Sequence, residues 1–198
     1  PITGVTEEEI LSQLKKIIKT KQDVIEWCVD IYKNLSNTDK VLQTIEKIKC
    51  ISDRPLLFTI RSEKEGGEKI LLTEEEKVSL LQAVCKQAKV DAVDYEIKQA
   101  SPFVERVKKA AKEAKVELIF SYHNFTSTPQ IEDLIQIAEE MARAAGDVAK
   151  IAVMPKTKAD VYRLLDATYK IDERLSIPVI TMSMGELGVL SRVIGWAY

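Results

Sequence analysis

The sequence is short of several things, and each shortage excludes a class of protein. Its 198 residues hold three cysteines, Cys28, Cys50 and Cys85. They are too few and too widely spaced for a disulfide framework or a zinc pattern, which points to the reducing cytoplasm. No apolar run reaches the roughly 18–20 residues of a transmembrane helix, and no basic-then-apolar start looks like a signal peptide, so no membrane partner is expected. Neither sign of charge dominates: 29 Lys and Arg stand against 31 Asp and Glu, for a net charge of −2. A chain so balanced has no global pull toward nucleic acid or anionic lipid. Low-complexity segments, linkers and sequence repeats are absent. So is the Gly-rich turn after a first strand that dinucleotide-binding sheets often use; the adjacent pair Gly66-Gly67 sits in the unrelated context Glu65-Gly66-Gly67-Glu68. The first residue is Pro1, not Met, which leaves room for a longer protein.

What is present is a globular balance, 45% hydrophobic and 30% charged, at the size of a single domain over residues 1–198. Six short apolar runs read as strands: 24–29, 55–61, 90–97, 116–122, 148–154 and 178–184. Helical patterns lie between them. Thr6 with Glu9, and Thr73 with Glu76, have capping-box spacing. Thr128-Pro129 reads as a cap before Pro at the first helical position, and Thr157 as the cap of a helix that buries Val161, Leu164, Leu165 and Thr168. Strand centres recur roughly every 30 residues, the length of a βαβ step. The alternation predicts an α/β fold with a parallel sheet covered by helices, either doubly wound or a (β/α) barrel.

Side chains alternate faces along a strand. In these strands one parity is apolar and the other polar: Ile25, Trp27 and Val29 against Glu26, Cys28 and Asp30; Phe58 and Ile60 against Thr59 and Arg61; Val93, Tyr95 and Ile97 against Asp94 and Glu96; Phe120 and Tyr122 against Ser121 and His123; Ile151 and Val153 against Lys150 and Ala152. If helices cover the apolar parity, Glu26, Arg61, Asp94, Glu96, His123 and Lys150 converge on a barrel interior. Taken singly each has a plainer reading: an ion pair for Arg61, an edge charge for Glu26 or Glu96, a surface lysine for Lys150, a structural imidazole for His123. Met182 and Met184 read as core. Six ionisable groups of one parity are costly as packing and are the usual mark of a site.

These residue types support a specific chemistry. A lysine in the apolar strand Val148-Ala149-Lys150-Ile151-Ala152-Val153 is expected to have its ammonium form disfavoured by desolvation, and a neutral amine attacks ketones to form Schiff bases. His123, the one histidine in the sequence, suits a general base that later returns its proton. Glu96 can orient that imidazole, while Arg61 and Arg192 can pair with an anionic substrate. Elimination or aldol chemistry on a ketone bearing a carboxylate fits the set.

Seven motifs in this order resemble the type I 3-dehydroquinase family: Glu26-Trp27-Cys28-Val29-Asp30; Pro55-Leu56-Leu57-Phe58-Thr59-Ile60-Arg61-Ser62; Glu65-Gly66-Gly67-Glu68; Val93-Asp94-Tyr95-Glu96; Ser121-Tyr122-His123-Asn124-Phe125 with Thr128-Pro129; Lys150-Ile151-Ala152-Val153-Met154-Pro155; and Ile180-Thr181-Met182-Ser183-Met184-Gly185 leading to Ser191-Arg192. The resemblance implies a (β/α)8 barrel of TIM type that dehydrates 3-dehydroquinate to 3-dehydroshikimate without metal or cofactor. By motif position Lys150 matches the Schiff-base lysine, His123 the general acid/base and Glu96 its carboxylate partner. Glu26, Arg61 and the position of Cys28 match substrate-binding residues, and Arg192 the arginine that grips the substrate carboxylate.

Three departures qualify the resemblance. The family motif reads Glu-Trp-Arg-Val-Asp where this chain has Cys28. Losing one charge-assisted contact costs about 1.5–3 kcal/mol, which predicts binding weakened roughly ten- to a hundredfold rather than abolished chemistry. A first barrel strand is represented only by Pro1-Ile2-Thr3-Gly4, which reads as its final residues and turn. An eighth strand and a substrate lid do not appear before Tyr198. Six of eight strands leave two sheet edges, which invite pairing with a second copy, so a homodimer is expected. Two further function classes stay open on sequence alone: a dehydratase-like protein that binds a shikimate-type acid or a partner chain, and a Schiff-base lyase or aldolase for another keto acid.

Overall fold

The computed structural model describes residues 1–194. Strands and helices alternate along the chain: α1 (Glu7–Ile17), β1 (Ile25–Cys28), α2 (Thr38–Ile51), β2 (Leu56–Thr59), α3 (Glu74–Gln87), β3 (Ala92–Glu96), α4 (Ser101–Ala114), β4 (Glu117–Asn124), α5 (Ile131–Arg143), β5 (Val148–Val153), α6 (Lys158–Asp172) and β6 (Val179–Ser183). All six expected strands form. The chain divides into two compact units, one of Pro1–Tyr95 with Gln99–Leu118, the other of Glu96–Lys98 with Ile119–Tyr198.

In the first unit β1 and β2 pair in parallel with Trp27 level with Phe58, and β2 and β3 pair with Thr59 level with Asp94. The apolar parity is buried to completion at Trp27, Phe58 and Val93. Trp27 meets Phe58 edge to face at 5.7 Å and Tyr32 at 5.6 Å, contacts that add about 0.5–1.5 kcal/mol to burial. The Tyr95 hydroxyl donates to Glu74 of α3 at 2.6 Å, so the Tyr95 side of β3 is the helix side. Ile2 forms a parallel bridge with Trp27: its amide donates to the Glu26 carbonyl at 2.7 Å, and the Cys28 amide donates to the Ile2 carbonyl at 3.0 Å. The expected strand character of this segment is therefore present at Ile2. Gly4 then turns the chain so tightly that a Cβ would lie 2.5 Å from the Ile10 nitrogen.

In the second unit β4 and β5 pair in parallel with Ser121 level with Lys150, and β5 and β6 with Lys150 level with Ile180. Phe120 packs at Gly146, where a Cβ would come within 2.6 Å of its ring, and Thr181 bonds Thr168 of α6 at 2.6 Å. These contacts put Phe120 and Thr181 on the helix side. Ser121, Lys150 and Ile180 therefore share the opposite face.

The helix starts follow the sequence at Thr6, Thr73 and Thr157, each of which closes a full capping box. Val161, Leu164, Leu165 and Thr168 are buried on α6 as expected. Thr128 is a correction. Helix α5 begins at Ile131 after Gln130, which caps it without a side-chain bond. Thr128 instead donates its hydroxyl to the Met154 carbonyl at 3.2 Å, and its own carbonyl accepts from Arg163 at 3.0 Å. The Thr128 hydroxyl ties the loop to the end of β5, two residues ahead of the cap position at Gln130. Most strand ends also shift by one or two residues. β1 stops at Cys28, and Val29 opens a 3-10 turn (Val29–Ile31) instead of ending the strand; β2 stops at Thr59, which leaves Arg61 beyond it; and β4 runs on to Asn124 because the Met154 amide donates to the Asn124 carbonyl at 2.8 Å. No helix among the described residues is long and apolar enough to cross a membrane.

Candidate active site

The second unit brings Glu96, His123 and Lys150 of the expected set into rows. Ile97, just past β3, donates its amide to the Ser121 carbonyl at 3.0 Å. The parallel bonding pattern then sets Glu96 level with Ser121. Glu96, Ser121, Lys150 and Ile180 thus form one row on one face. His123, Ala152 and Met182 form the next row toward the strand ends. Lys150 stands diagonally from His123, about 8 Å apart at Cα given strand spacing and rise. Ala152 fills the position level with His123 with only a methyl, which leaves the space above it to the imidazole and the lysine chain.

Burial within this set is graded. Glu96 is 1% exposed, Ser121 0% and Lys150 8%. His123 is half-buried and stacks on Phe125 at 6.5 Å and 19°. The interior groups are thus dry while the imidazole reaches toward solvent, a suitable place for a group that exchanges protons. Ser121 sits between Glu96 and Lys150. Its parity was visible in the sequence, but nothing there separated it from an ordinary strand serine. Arg192 is exposed in the turn after β6, and its guanidinium donates to the Gly185 carbonyl at 3.3 Å. It borders a hollow of about 490 Å³ along β6 with Ile180, Met182 and Ser191.

The first unit carries a different set. Cys28, Thr59 and Asp94 form one row of the polar face, with Glu26 one pleat behind. The Thr59 hydroxyl donates to the Glu26 carboxylate at 2.9 Å. Arg61, two residues beyond Thr59, pairs with Asp94 at 2.8 Å and faces Glu65 at 3.7 Å. Asp30 accepts the backbone amides of Arg61 and Glu68, each at 3.2 Å. Gly67 passes so close that a Cβ would lie 2.3 Å from the Arg61 carbonyl oxygen. The guanidinium is thus held by two carboxylates, while Asp30 fixes the backbone that carries it. Sequence reading placed Asp94 on this face without a role. Its pairing with Arg61 joins residues 33 apart, and no local spacing signals it. Cys28 is half-buried beside Thr59, Cys50 is exposed, and Cys85 is buried, its thiol pushed up to about 11 by loss of solvent. Among the described residues no group of three or more His, Cys, Asp or Glu gathers to hold a metal ion.

The sequence matches the family model for type I 3-dehydroquinase over residues 1–198. A 3-dehydroquinate dehydratase of Geobacillus sp. (strain WCH70) is 43% identical over 199 residues, 100% of this chain and 76% of the relative. The crystal structure of the 3-dehydroquinate dehydratase of Geobacillus kaustophilus HTA426 superposes with a TM-score of 0.98 at 37% identity, over 100% of this chain and 77% of that one. The type I enzyme of Clostridium difficile, solved with covalently modified comenic acid, superposes with a TM-score of 0.96 at 34% identity, over 99% of this chain and 78% of that one.

Proposed function

The chain belongs to the type I 3-dehydroquinase family, an α/β fold of the (β/α)8 TIM-barrel kind, and from that premise we propose that it dehydrates 3-dehydroquinate through an imine on Lys150. The observation that carries this reading is the row Glu96–Ser121–Lys150 with His123 one pleat above it. Covalent chemistry in the Clostridium difficile relative supports looking for a nucleophile here. As a carbon–oxygen lyase the protein serves the shikimate pathway.

The Lys150 amine adds to the substrate ketone, and the carbinolamine loses one water to give an iminium. The neutral amine is the attacking form. The iminium acidifies the adjacent carbon, and His123 takes a proton from it, leaving an enamine. The enamine expels the β-hydroxyl, to which His123 returns the proton, and a second water leaves. One water then hydrolyses the conjugated iminium to the enone and frees Lys150. The net change is loss of one water. Glu96 orients the imidazole.

Substrate contacts follow the family correspondence: Arg192 matches the residue that holds the carboxylate, Glu26 and Arg61 match substrate-binding residues, and Cys28 stands at a position where a guanidinium is usual. No metal or cofactor takes part. The chain acts as a single domain, as a homodimer in the cytoplasm without nucleic-acid partners. Exposed Leu187, Val189, Leu190 and Val193 support a protein partner, and a sedimentation mass tests it.

Borohydride tests the imine, because it reduces an iminium to a stable secondary amine. Intact mass after incubation with 3-dehydroquinate and borohydride is expected to rise by the trapped ligand, mapped to Lys150. K150M is expected to take up no mass and to lose turnover by about 10⁴-fold or more, as removal of a covalent nucleophile does. A folded wild-type protein that traps nothing moves the reading to a binding protein or to another keto acid.

A further inference from the structure

The turn after β6 is anchored more tightly than an exposed loop requires. Ser183 ends the strand, and its amide points away from β5, whose Val153 carbonyl is taken by the next amide, Met184, at 2.8 Å. The chain leaves through Gly185 at φ +66, a backbone state that favours glycine. It then returns at Gly188 so closely that a Cβ there would lie 1.9 Å from the Ser183 carbonyl oxygen. Ser191, 4% exposed, closes the turn. Its hydroxyl accepts the Ser183 amide at 3.0 Å and donates to the Gly188 carbonyl at 2.7 Å. Arg192 follows directly, and its guanidinium reaches back to Gly185.

We propose that Ser191 is a positioning residue for Arg192: its hydroxyl pins the returning chain to the end of β6 and so holds the carboxylate-binding guanidinium in place. The inference rests on the proposed contact of Arg192 with the substrate carboxylate. An arginine stays charged at any working pH, so the serine acts on where the charge is, not on whether it exists. Two features make a local role in stability insufficient. The hydroxyl ties the short 3-10 helix that carries Arg192 (Val189–Arg192) to the end of β6, and both glycines are spent on shaping the turn that leads to it. A misplaced guanidinium weakens ground state and transition state alike, which raises KM and spares kcat.

The test is a double-mutant cycle on the full chain with 3-dehydroquinate. R192Q is expected to raise KM roughly ten- to a hundredfold, in line with loss of a charge-assisted bond. S191A is expected to raise KM about tenfold, with kcat within about twofold, and to add nothing in the R192Q background. S191T, which keeps the hydroxyl, is expected to restore KM. S191C fills the same space with a weaker hydrogen-bonding group and stands in if S191A does not fold, with the same non-additivity expected. A KM unchanged in S191A and S191C, or effects that add to those of R192Q, overturns the positioning role and leaves Arg192 as the carboxylate ligand. A KM unchanged in R192Q overturns the reading of Arg192 and the positioning role with it.

Discussion

The two units handle charge in opposite ways. In the first, every charge on the polar face has a fixed partner: Thr59 on Glu26, Asp94 and Glu65 on Arg61, Asp30 on two backbone amides. In the second, a lysine and a glutamate lie buried in one row, separated by a serine, with a half-buried histidine above them. The first arrangement is a frame, whose bonds are made before a ligand arrives. In the proposed mechanism the second is a reaction path, whose groups change protonation during the cycle. Substitutions in the two should therefore fail differently, one in affinity and the other in rate.

The sharpest way to break this contrast is at His123. H123Q keeps a polar group on the ring's position but removes the proton carrier. We expect kcat to fall about 10²–10⁴-fold, the usual share of general acid–base catalysis, with KM little changed. Imine trapping on Lys150 should persist, since attack on the ketone does not require the proton transfer at the neighbouring carbon. A matched loss of trapping and turnover would place His123 in the first step instead.

Next in size is Cys28, in the frame. C28R adds a guanidinium beside Thr59, on a face that carries Arg61 and the carboxylates of Glu26 and Asp94. We expect KM for 3-dehydroquinate to fall roughly tenfold or more, with kcat within a fewfold, as one charge-assisted contact predicts. C28A should leave both constants near wild type. If C28R lowers kcat instead, the frame is coupled to the chemistry and the contrast fails.

How far the sequence shows this division depends on the range of each interaction. The six strands and their two parities are legible because period-two burial is local, and the residues of the polar parity do lie where alternation puts them. Thr6, Thr73 and Thr157 are legible as caps because each box closes within three residues. What sequence does not show is register. That Glu96, Ser121 and Lys150 share a row depends on loop lengths and on pairings between residues 25 and 29 positions apart. Asp94 finding Arg61 is the same problem. So is Thr128, whose acceptor lies 26 residues on at Met154. His123 sits inside β4 rather than beyond it because a neighbouring strand continues the ladder, which the segment 116–122 alone cannot reveal.

The smallest expected effect compares the units away from any ligand. Glu76 in the first unit and Asp160 in the second are cap carboxylates. Each is held below its ordinary value, 4.5 for Glu76 and 3.8 for Asp160, chiefly by backbone amides: Thr73 for the first, Lys156 and Thr157 for the second. A carboxyl whose folded value lies below its unfolded one adds stability that is complete above the unfolded value and is lost as pH falls through the folded one. The wild-type thermal midpoint should therefore begin to drop near pH 4.5 and continue below 3.8. E76Q and D160N should each lower the midpoint slightly at neutral pH and flatten the drop on acidification. Glu76 is exposed, while Asp160 is half-buried and paired with Arg163 at 2.7 Å, so salt screens the effect more at Glu76. Equal, small changes from E76Q and D160N would show that the units differ only on their polar faces. A much larger change from one of them would mean that its helix start limits the stability of its unit, and that the contrast between frame and reaction path extends into the scaffold.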